Sequence, residues 1–313
     1  MMRNAAVAAL LLASGGAAGY GFEPVQTLLP EVNAQALAIG DVSGDGLDDL
    51  VVLPWPTGPD DHSEILVAVQ RADGQLAAPL VVEFGVHEVL FGSVALADMD
   101  DDGILDIVVG ENFGLIILRN EGGLAFSAQV TAEQRGPQTF DFDDVDGDGH
   151  LDVVTSTAGT AEGTFDVYHG DGVGGIRQKT VLALPGANKL YLVDINGDGR
   201  RDIAYSLDDE VGLLLRNEHG FSNPTFVPLG LQNRSDGIAF ADFNADGRMD
   251  FVAAKSVNSY DGPFMALYEQ RADGRFRASG TLQSHDLPGA PRDRKSTRLN
   301  SSHCALSRMP SSA

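Results

Sequence analysis

The feature that most constrains this chain is a nine-residue, aspartate-rich segment that occurs five times. The copies are DVSGDGLDD at 41–49, DMDDDGILD at 98–106, DVDGDGHLD at 144–152, DINGDGRRD at 194–202 and DFNADGRMD at 242–250. Their first aspartates are 57, 46, 50 and 48 residues apart. Repetition at a nearly fixed period of this size is typical of repeat architectures such as solenoids and propellers.

The residues around each segment predict β-strands. Short apolar runs such as Leu50–Leu53 and Ile107–Val109 have strand length and are bounded by Gly and Asp. A second apolar run later in each repeat ends in a glycine-containing turn, as in VAVQRADGQ at 67–75, which is typical of a β-hairpin. Each repeat of about 50 residues therefore holds about four strands, and the aspartate segment is a loop joining two of them.

Four strands per repeat predict an all-β fold, a β-propeller of four-stranded blades, with five repeats visible over residues 28–290. Stacked repeats would bury the faces that a single repeat leaves open. A β-solenoid is the alternative architecture, although its repeats are usually much shorter. Tandem sandwich domains need far more than 50 residues each.

The nine-residue loops carry the ligand pattern of a hard divalent cation. Calcium takes six to eight oxygens, and carboxylates at positions 1, 3, 5 and 9 with the carbonyl of position 7 supply most of them. We therefore predict about five Ca²⁺ sites. The predicted ligands, with the position 7 carbonyls included, are Asp41, Ser43, Asp45, Leu47 and Asp49; Asp98, Asp100, Asp102, Ile104 and Asp106; Asp144, Asp146, Asp148, His150 and Asp152; Asp194, Asn196, Asp198, Arg200 and Asp202; and Asp242, Asn244, Asp246, Arg248 and Asp250.

An EF-hand begins with the same spacing but needs a glutamate at position 12 and flanking helices. Position 12 is occupied here by Val52, Val109, Thr155, Tyr205 and Ala253, each within a predicted strand. The EF-hand interpretation therefore fails in all five copies.

The loops, with the downstream turns of the type L-x-x-x-N-x-G at Leu115–Gly123 and Leu213–Phe221, resemble the FG-GAP/VCBS repeats of integrin α-subunits and bacterial secreted proteins. The resemblance implies a propeller, commonly seven-bladed, that binds calcium and serves adhesion or recognition. Three departures stand out: Ser43 at position 3, and Asp101 and Ala245 where position 4 is usually glycine. We expect Ser43 to make the first site the weakest.

The two ends of the chain differ in composition from the repeats. Residues 1–19 hold Arg3, an apolar run and small residues, which predicts a secretory signal and a secreted, periplasmic or cell-surface location. Residues 293–313 resemble the translation of a sequencing adapter, so we expect this tail not to be biological and the chain to be C-terminally truncated. Cys304, the single cysteine, lies in that tail, which excludes an internal disulfide.

The charge narrows the possible partners. The chain has 45 acidic and 21 basic residues, a formal charge of −24, which disfavours binding to nucleic acid. No apolar run is long enough to insert into a membrane. We therefore expect a recognition module for a protein or glycan ligand. The alternative is the propeller part of a secreted polysaccharide-degrading enzyme such as a lyase, although no catalytic residue can be named.

One insertion lengthens the first repeat. It places Trp55 on the proline-rich segment 54–62. Trp55 would either stack on a sugar or anchor a partner, or pack against the adjoining blade.

Overall fold

Every regular element that the structure describes is a β-strand. The computed structural model describes residues 29, 32–55, 64–84, 92–111, 114–132, 139–156, 165–182, 187, 189–207, 209–218, 220–230, 235–255 and 263–283. The expected signal at 1–19 and the tail at 293–313 lie outside these residues. Within them, no helix has the length and apolar character that crossing a bilayer requires.

The chain forms two compact units, Met1–Gly186 and Ala187–Ala313. The first unit holds three four-stranded sheets and the second holds two, all with antiparallel pairing. The strands of the first unit are β1 (Ala34–Gly40), β2 (Asp49–Pro54), β3 (Glu64–Ala68) and β4 (Leu80–Glu83) in the first sheet; β5 (Ser93–Ala97), β6 (Asp106–Glu111), β7 (Gly114–Asn120) and β8 (Phe126–Ala132) in the second; and β9 (Thr139–Asp143), β10 (Asp152–Ser156), β11 (Phe165–Gly170) and β12 (Ile176–Leu182) in the third.

The second unit repeats the same arrangement. Its strands are β13 (Lys189–Val193), β14 (Asp202–Ser206), β15 (Glu210–Leu214) and β18 (Thr225–Pro228) in the fourth sheet, with the short hairpin β16 (Arg216–Asn217) and β17 (Gly220–Phe221) between the last two; and β19 (Ser235–Ala241), β20 (Asp250–Lys255), β21 (Pro263–Gln270) and β22 (Phe276–Gln283) in the fifth. In every sheet each strand pairs with the next one along the chain, apart from the hairpin. The prediction of four strands per repeat is therefore confirmed.

The second and third strands of each sheet carry the core because both of their faces are covered. In the first unit Val51, Leu53 and Ile65 of the first sheet pack with Ile107 and Ile116 of the second, all at most 1% exposed. Burying one such side chain contributes about 1.5 to 3 kcal/mol. Successive residues of these strands are buried rather than alternately buried and exposed, as in β10 and β14, which is expected for strands without a solvated face.

Tight turns join the third and fourth strands, as the glycine-containing segments predicted. The N–H of Arg71 donates to the carbonyl of Gln75 at 2.8 Å, and the same closure joins Glu121 to Ala125 and Arg271 to Arg275. In the second, third and fifth sheets the turn follows directly on the last residue of the third strand, which bonds to the aspartate loop of its own sheet.

A buried amide links the first two sheets. Asn120, fully buried at the end of β7, donates from Nδ2 to the carbonyl of Val42 at 2.7 Å and to that of Leu105 at 3.2 Å. Gln270 makes the corresponding bond to the carbonyl of Ile195 at 3.1 Å in the second unit. Both amides therefore connect the aspartate loop of one sheet to the third strand of the following sheet.

Replacing Asn120 by alanine should lower the free energy of unfolding by about 2 kcal/mol, because two buried carbonyls lose their donor. Urea unfolding of the full chain measures the change. The control Gln75→Ala removes an exposed amide from the same unit and should stay within about 0.5 kcal/mol of the parent. Equal stability of the two variants would contradict a stabilising role for the Asn120 amide.

Candidate metal centres

All five aspartate loops connect the first strand of a sheet to the second, which confirms their predicted place between strands. Eight residues separate the two strands in every sheet, and the ninth loop position is the first residue of the second strand. The position 9 aspartates are at most 1% exposed; they are Asp49, Asp106, Asp152, Asp202 and Asp250.

Each position 9 carboxylate bridges two separate parts of its sheet. In the second loop Asp106 Oδ2 accepts the N–H of Met99 at 2.8 Å, and Oδ1 accepts the N–H of Asn120 at 2.7 Å. The corresponding acceptors and donors are Asp49 with Val42 and Gln70, Asp152 with Val145 and Gly170, Asp202 with Ile195 and Arg216, and Asp250 with Phe243 and Gln270. Position 9 thus ties the loop to the end of the third strand.

Positions 1 and 5 fold the loop itself. Asp41 accepts the N–H groups of Gly44 at 2.7 Å, Asp45 at 3.1 Å and Gly46 at 2.7 Å, and Asp45 Oδ1 accepts the N–H of Leu47 at 2.9 Å. The other loops repeat this pattern with small variations. The hydrogen bond from Gly247 lowers the pKa of Asp242, with further loop amides adding to the effect. The amides of the fifth loop therefore favour the ionised form of Asp242.

Position 4 requires a left-handed backbone, which explains why glycine is usual there. Gly44, Gly147 and Gly197 have φ of 78°, 80° and 76°, whereas Asp101 and Ala245 adopt φ of 60° despite their Cβ atoms. Asp101 has a compensating contact, since its Oδ2 lies 2.8 Å from His150 Nδ1 in the third loop. This hydrogen bond raises the pKa of His150.

Replacing Ala245 by glycine should raise the free energy of unfolding by about 0.5 to 1 kcal/mol. The left-handed conformation destabilises the folded state of a residue with a Cβ, and relief of this strain should exceed the cost of the greater entropy that glycine gives the unfolded chain. The measurement is the unfolding midpoint in urea. Ala272→Gly, an exposed turn position of the same sheet without positive φ, is the control and should be neutral or destabilising. A loss of stability in the Ala245 variant would show that position 4 is not strained.

The second loop brings three carboxylates together. One oxygen each of Asp98, Asp100 and Asp106 lies within 4.8 Å of the other two. The Asp100 side chain is 6% exposed, and its Oδ1 has no hydrogen-bond partner among the described residues, while Oδ2 lies 2.8 Å from Arg119 Nε. Burial raises the pKa of Asp106 to about 6, and the charges of Asp100 and Asp102 add to the rise. Both observations point to a place for a cation.

The third loop also brings carboxylates together, in two overlapping groups. One contains Asp144, Asp146 and Asp148, and the other contains Asp146, Asp152 and His169. Arg177 contacts the carboxylate of Asp146 and lies 2.7 Å from Asp148 Oδ2. His169 was not among the predicted ligands, because it lies in β11, 17 residues beyond Asp152, and nothing in the loop pattern points to it.

The first, fourth and fifth loops do not form such a group of three acidic or histidine side chains among the described residues. In these loops position 3 is Ser43, Asn196 or Asn244, so the fourth carboxylate is missing. Asn196 and Asn244 instead accept the N–H of position 5 at 2.9 Å. The predicted ligands of these three loops remain predictions.

The donor atoms of the second and third loops suit a hard divalent ion. Clustered carboxylate oxygens are the ligands that Ca²⁺, Mg²⁺ and Mn²⁺ prefer. The buried Asp100 oxygen without a partner and the raised pKa of Asp106 indicate that Arg119 alone does not offset the negative charge of this cluster. These acidic clusters could therefore hold a metal ion.

Trp55 lies at the other end of the first sheet. The loop 41–48 precedes β2, whereas Trp55 follows its last residue, Pro54. The Trp55 N–H donates to the carbonyl of Asn33 at 2.7 Å, and the residue is half-buried. Most of the insertion, residues 56–62, lies outside the described part of the chain.

Comparison with known proteins decides the family. The model of the FG-GAP-like repeat matches four times, over residues 41–109, 98–155, 144–205 and 194–253. The chain belongs to the FG-GAP-like repeat family. Each match starts at the first aspartate of one loop and ends within the strand that directly follows the next loop. The family repeat therefore includes the loop geometry described above.

Solved structures support the same fold. An Agrocybe aegerita lectin, described by its specific recognition of non-reducing terminal N-acetylglucosamine, is 20% identical, with 85% of this chain and 72% of the lectin covered and a TM-score of 0.60. A Lactobacillus plantarum protein is 15% identical, with 80% and 71% covered and a TM-score of 0.51. With the repeated four-stranded sheets and the family match, this likeness confirms the predicted all-β propeller class. Seven blades for a complete protein stays a prediction.

Proposed function

We propose that this FG-GAP-like repeat protein is an exported, calcium-binding recognition module for a glycan or protein ligand. The observation that carries the proposal is the cluster of Asp98, Asp100 and Asp106, with its buried and unpartnered Asp100 oxygen. Calcium is the hard cation abundant outside cells, where sites with Kd of about 10⁻⁴ to 10⁻³ M suffice. The expected signal at 1–19 supports the exported location.

The two ends of the sheets differ in the loops that connect their strands. The metal loops have a constant eight residues between strands, and their side chains fold the loop and tie it to the third strand. The connectors between the second and third strands hold 9, 2, 8, 3 and 7 residues in the five sheets. Loops of variable length on a rigid scaffold are where binding sites are usually found. We infer that calcium stiffens the scaffold and that the variable connectors recognise the ligand.

A bound divalent ion would have a direct electrostatic effect on the second loop. The Asp106 carboxyl is held back from ionisation by burial and by neighbouring negative charge. A positive ion close to these oxygens favours their ionised form, and it would satisfy the Asp100 oxygen as well. Binding energy of this kind adds to the stability of the folded chain because the unfolded chain does not hold the three carboxylates together.

Calcium at about 10 mM should raise the free energy of unfolding by roughly 1.4 to 2.7 kcal/mol for each occupied site, given Kd values of about 10⁻⁴ to 10⁻³ M. Thermal unfolding with calcium and with excess chelator measures the difference. Calcium titration by calorimetry should show one site weakened in Asp100→Asn. The control Glu83→Gln removes an exposed acid of β4 and should leave all sites unchanged. A melting temperature indifferent to chelator would refute the calcium proposal.

Recognition is tested with immobilised glycans, including chains that end in N-acetylglucosamine, the sugar that the similar lectin recognises. If Trp55 contacts the ligand, Trp55→Ala should weaken binding at least tenfold, the loss of about 1.4 kcal/mol or more expected for a central tryptophan. Phe226→Ala, an exposed aromatic on β18, serves as control. Release of unsaturated sugar products during incubation would favour the lyase alternative, and an array without any bound glycan would leave protein partners to be screened.

A further inference from the structure

A histidine nitrogen faces the third loop from a neighbouring strand. His169 Nδ1 lies 3.2 Å from Asp146 Oδ2 and 3.4 Å from Asp152 Oδ2, and the three ligand atoms lie within 4.8 Å of one another. His169 is 9% exposed and Asp152 is fully buried. Within the described part of the chain, Nδ1 has no hydrogen-bond partner of acceptable geometry. A buried polar atom of this kind requires an explanation.

Among the five sheets, only the third has a histidine at the position of His169. The residue after it, Gly170, donates its N–H to the position 9 aspartate, as Gln70, Asn120, Arg216 and Gln270 do in the other sheets. The residues that correspond to His169 are therefore Val69, Arg119, Leu215 and Glu269. Since none of these is a nitrogen ligand for a metal, the third loop differs chemically from the rest.

The surroundings hold the imidazole in one orientation. His169 Nε2 lies 3.0 Å from Thr180 Oγ1 on the adjacent strand β12. When Nε2 carries the proton, it donates to this hydroxyl oxygen and leaves the Nδ1 lone pair free for a metal ion beside the two carboxylates. Metal-binding histidines are typically fixed in this way through their other nitrogen. Asp152 is fixed too, because Gly170 and Val145 each donate an N–H to it at 2.9 Å.

We propose that His169, Asp146 and Asp152 form a transition-metal site of the zinc class in the third loop. One imidazole nitrogen with two carboxylate oxygens suits zinc, cobalt and related ions, whereas calcium prefers oxygen ligands throughout. Metal–ligand bonds of about 2.0 to 2.1 Å place tetrahedral ligands roughly 3.3 to 3.4 Å apart. The two separations from Nδ1 agree with that spacing. The site shares two aspartates with a proposed calcium loop, so it rests in part on the proposed function.

Arg177 would compete with a metal ion for the Asp146 carboxylate. Its guanidinium contacts the Asp146 carboxylate and also pairs with Asp148 at 2.7 Å. The Arg177 side chain is 41% exposed, so its head group can move into solvent when a metal ion takes Asp146. Arg177→Gln should therefore tighten metal binding, in contrast to any change in the three ligands.

The test is a titration of the full chain with Co²⁺, followed by visible absorption, in calcium at about 10 mM, so that the other four proposed calcium loops are filled and calcium competes with Co²⁺ only at the third. The parent should bind one Co²⁺ with ligand-field bands, and Zn²⁺ should displace it. His169→Gln should lose more than about 100-fold in affinity, and Thr180→Val about tenfold, as expected for an outer partner. Unchanged Co²⁺ affinity in His169→Gln, or displacement of Co²⁺ by calcium alone, would overturn the proposal.

Asp198→Asn in the fourth loop separates this proposal from the calcium proposal. It should weaken one calcium site and leave the Co²⁺ spectrum unchanged. If His169→Gln does not fold, nitrogen NMR of the parent replaces it, and Zn²⁺ should shift Nδ1 of one histidine while its Nε2 stays protonated. No shift, or an Nδ1 that carries a proton in saturating Zn²⁺, would identify an ion pair of His169 with the carboxylates and refute the metal site.

Discussion

The arrangement of every sheet depends on one buried carboxylate, the aspartate at the ninth loop position. Its two oxygens accept N–H groups from the loop and from the end of the third strand, as Asp106 does for Met99 and Asn120. The first, second and third strands are thus joined at one end by a single side chain. A buried charge is costly unless it is hydrogen-bonded, and here each oxygen has a donor. The repeated aspartate is therefore a structural residue as well as a candidate ligand.

The other loop aspartates accept loop hydrogen bonds with carboxylates that are also candidate metal ligands. Positions 1 and 5 accept loop amides in this way. Excess negative charge remains, and arginines such as Arg119 and Arg177 lie against it. Where position 3 is an aspartate, as in the second and third loops, three carboxylates meet. Position 3 thereby decides which loops gather three carboxylates, and His169 lies beside one of these groups.

The sheets separate a constant end from a variable end. Loops of fixed length and repeated hydrogen bonding join the first and second strands at one end. At the other end the second strands lead into connectors of different lengths, including the one that begins with Trp55. A repeat fold can change its connectors without disturbing the core, because the second and third strands carry the burial. Such a division suits a recognition protein in which metal and ligand need not touch.

The sequence by itself determined the all-β class, the four-strand repeat and the position of each loop between two strands, because period, strand-length apolar runs and turn residues are local features. It also singled out Asp101 and Ala245 as departures from the usual glycine at position 4, whereas the left-handed backbone there came from the structure. Only the tertiary structure decided that position 9 bridges the loop to the third strand, that Asn120 reaches Val42 in the preceding sheet, and that His169 faces Asp146 and Asp152. These contacts join residues 14 to 78 positions apart, or strands whose register the repeat pattern does not specify, so no local pattern could predict them.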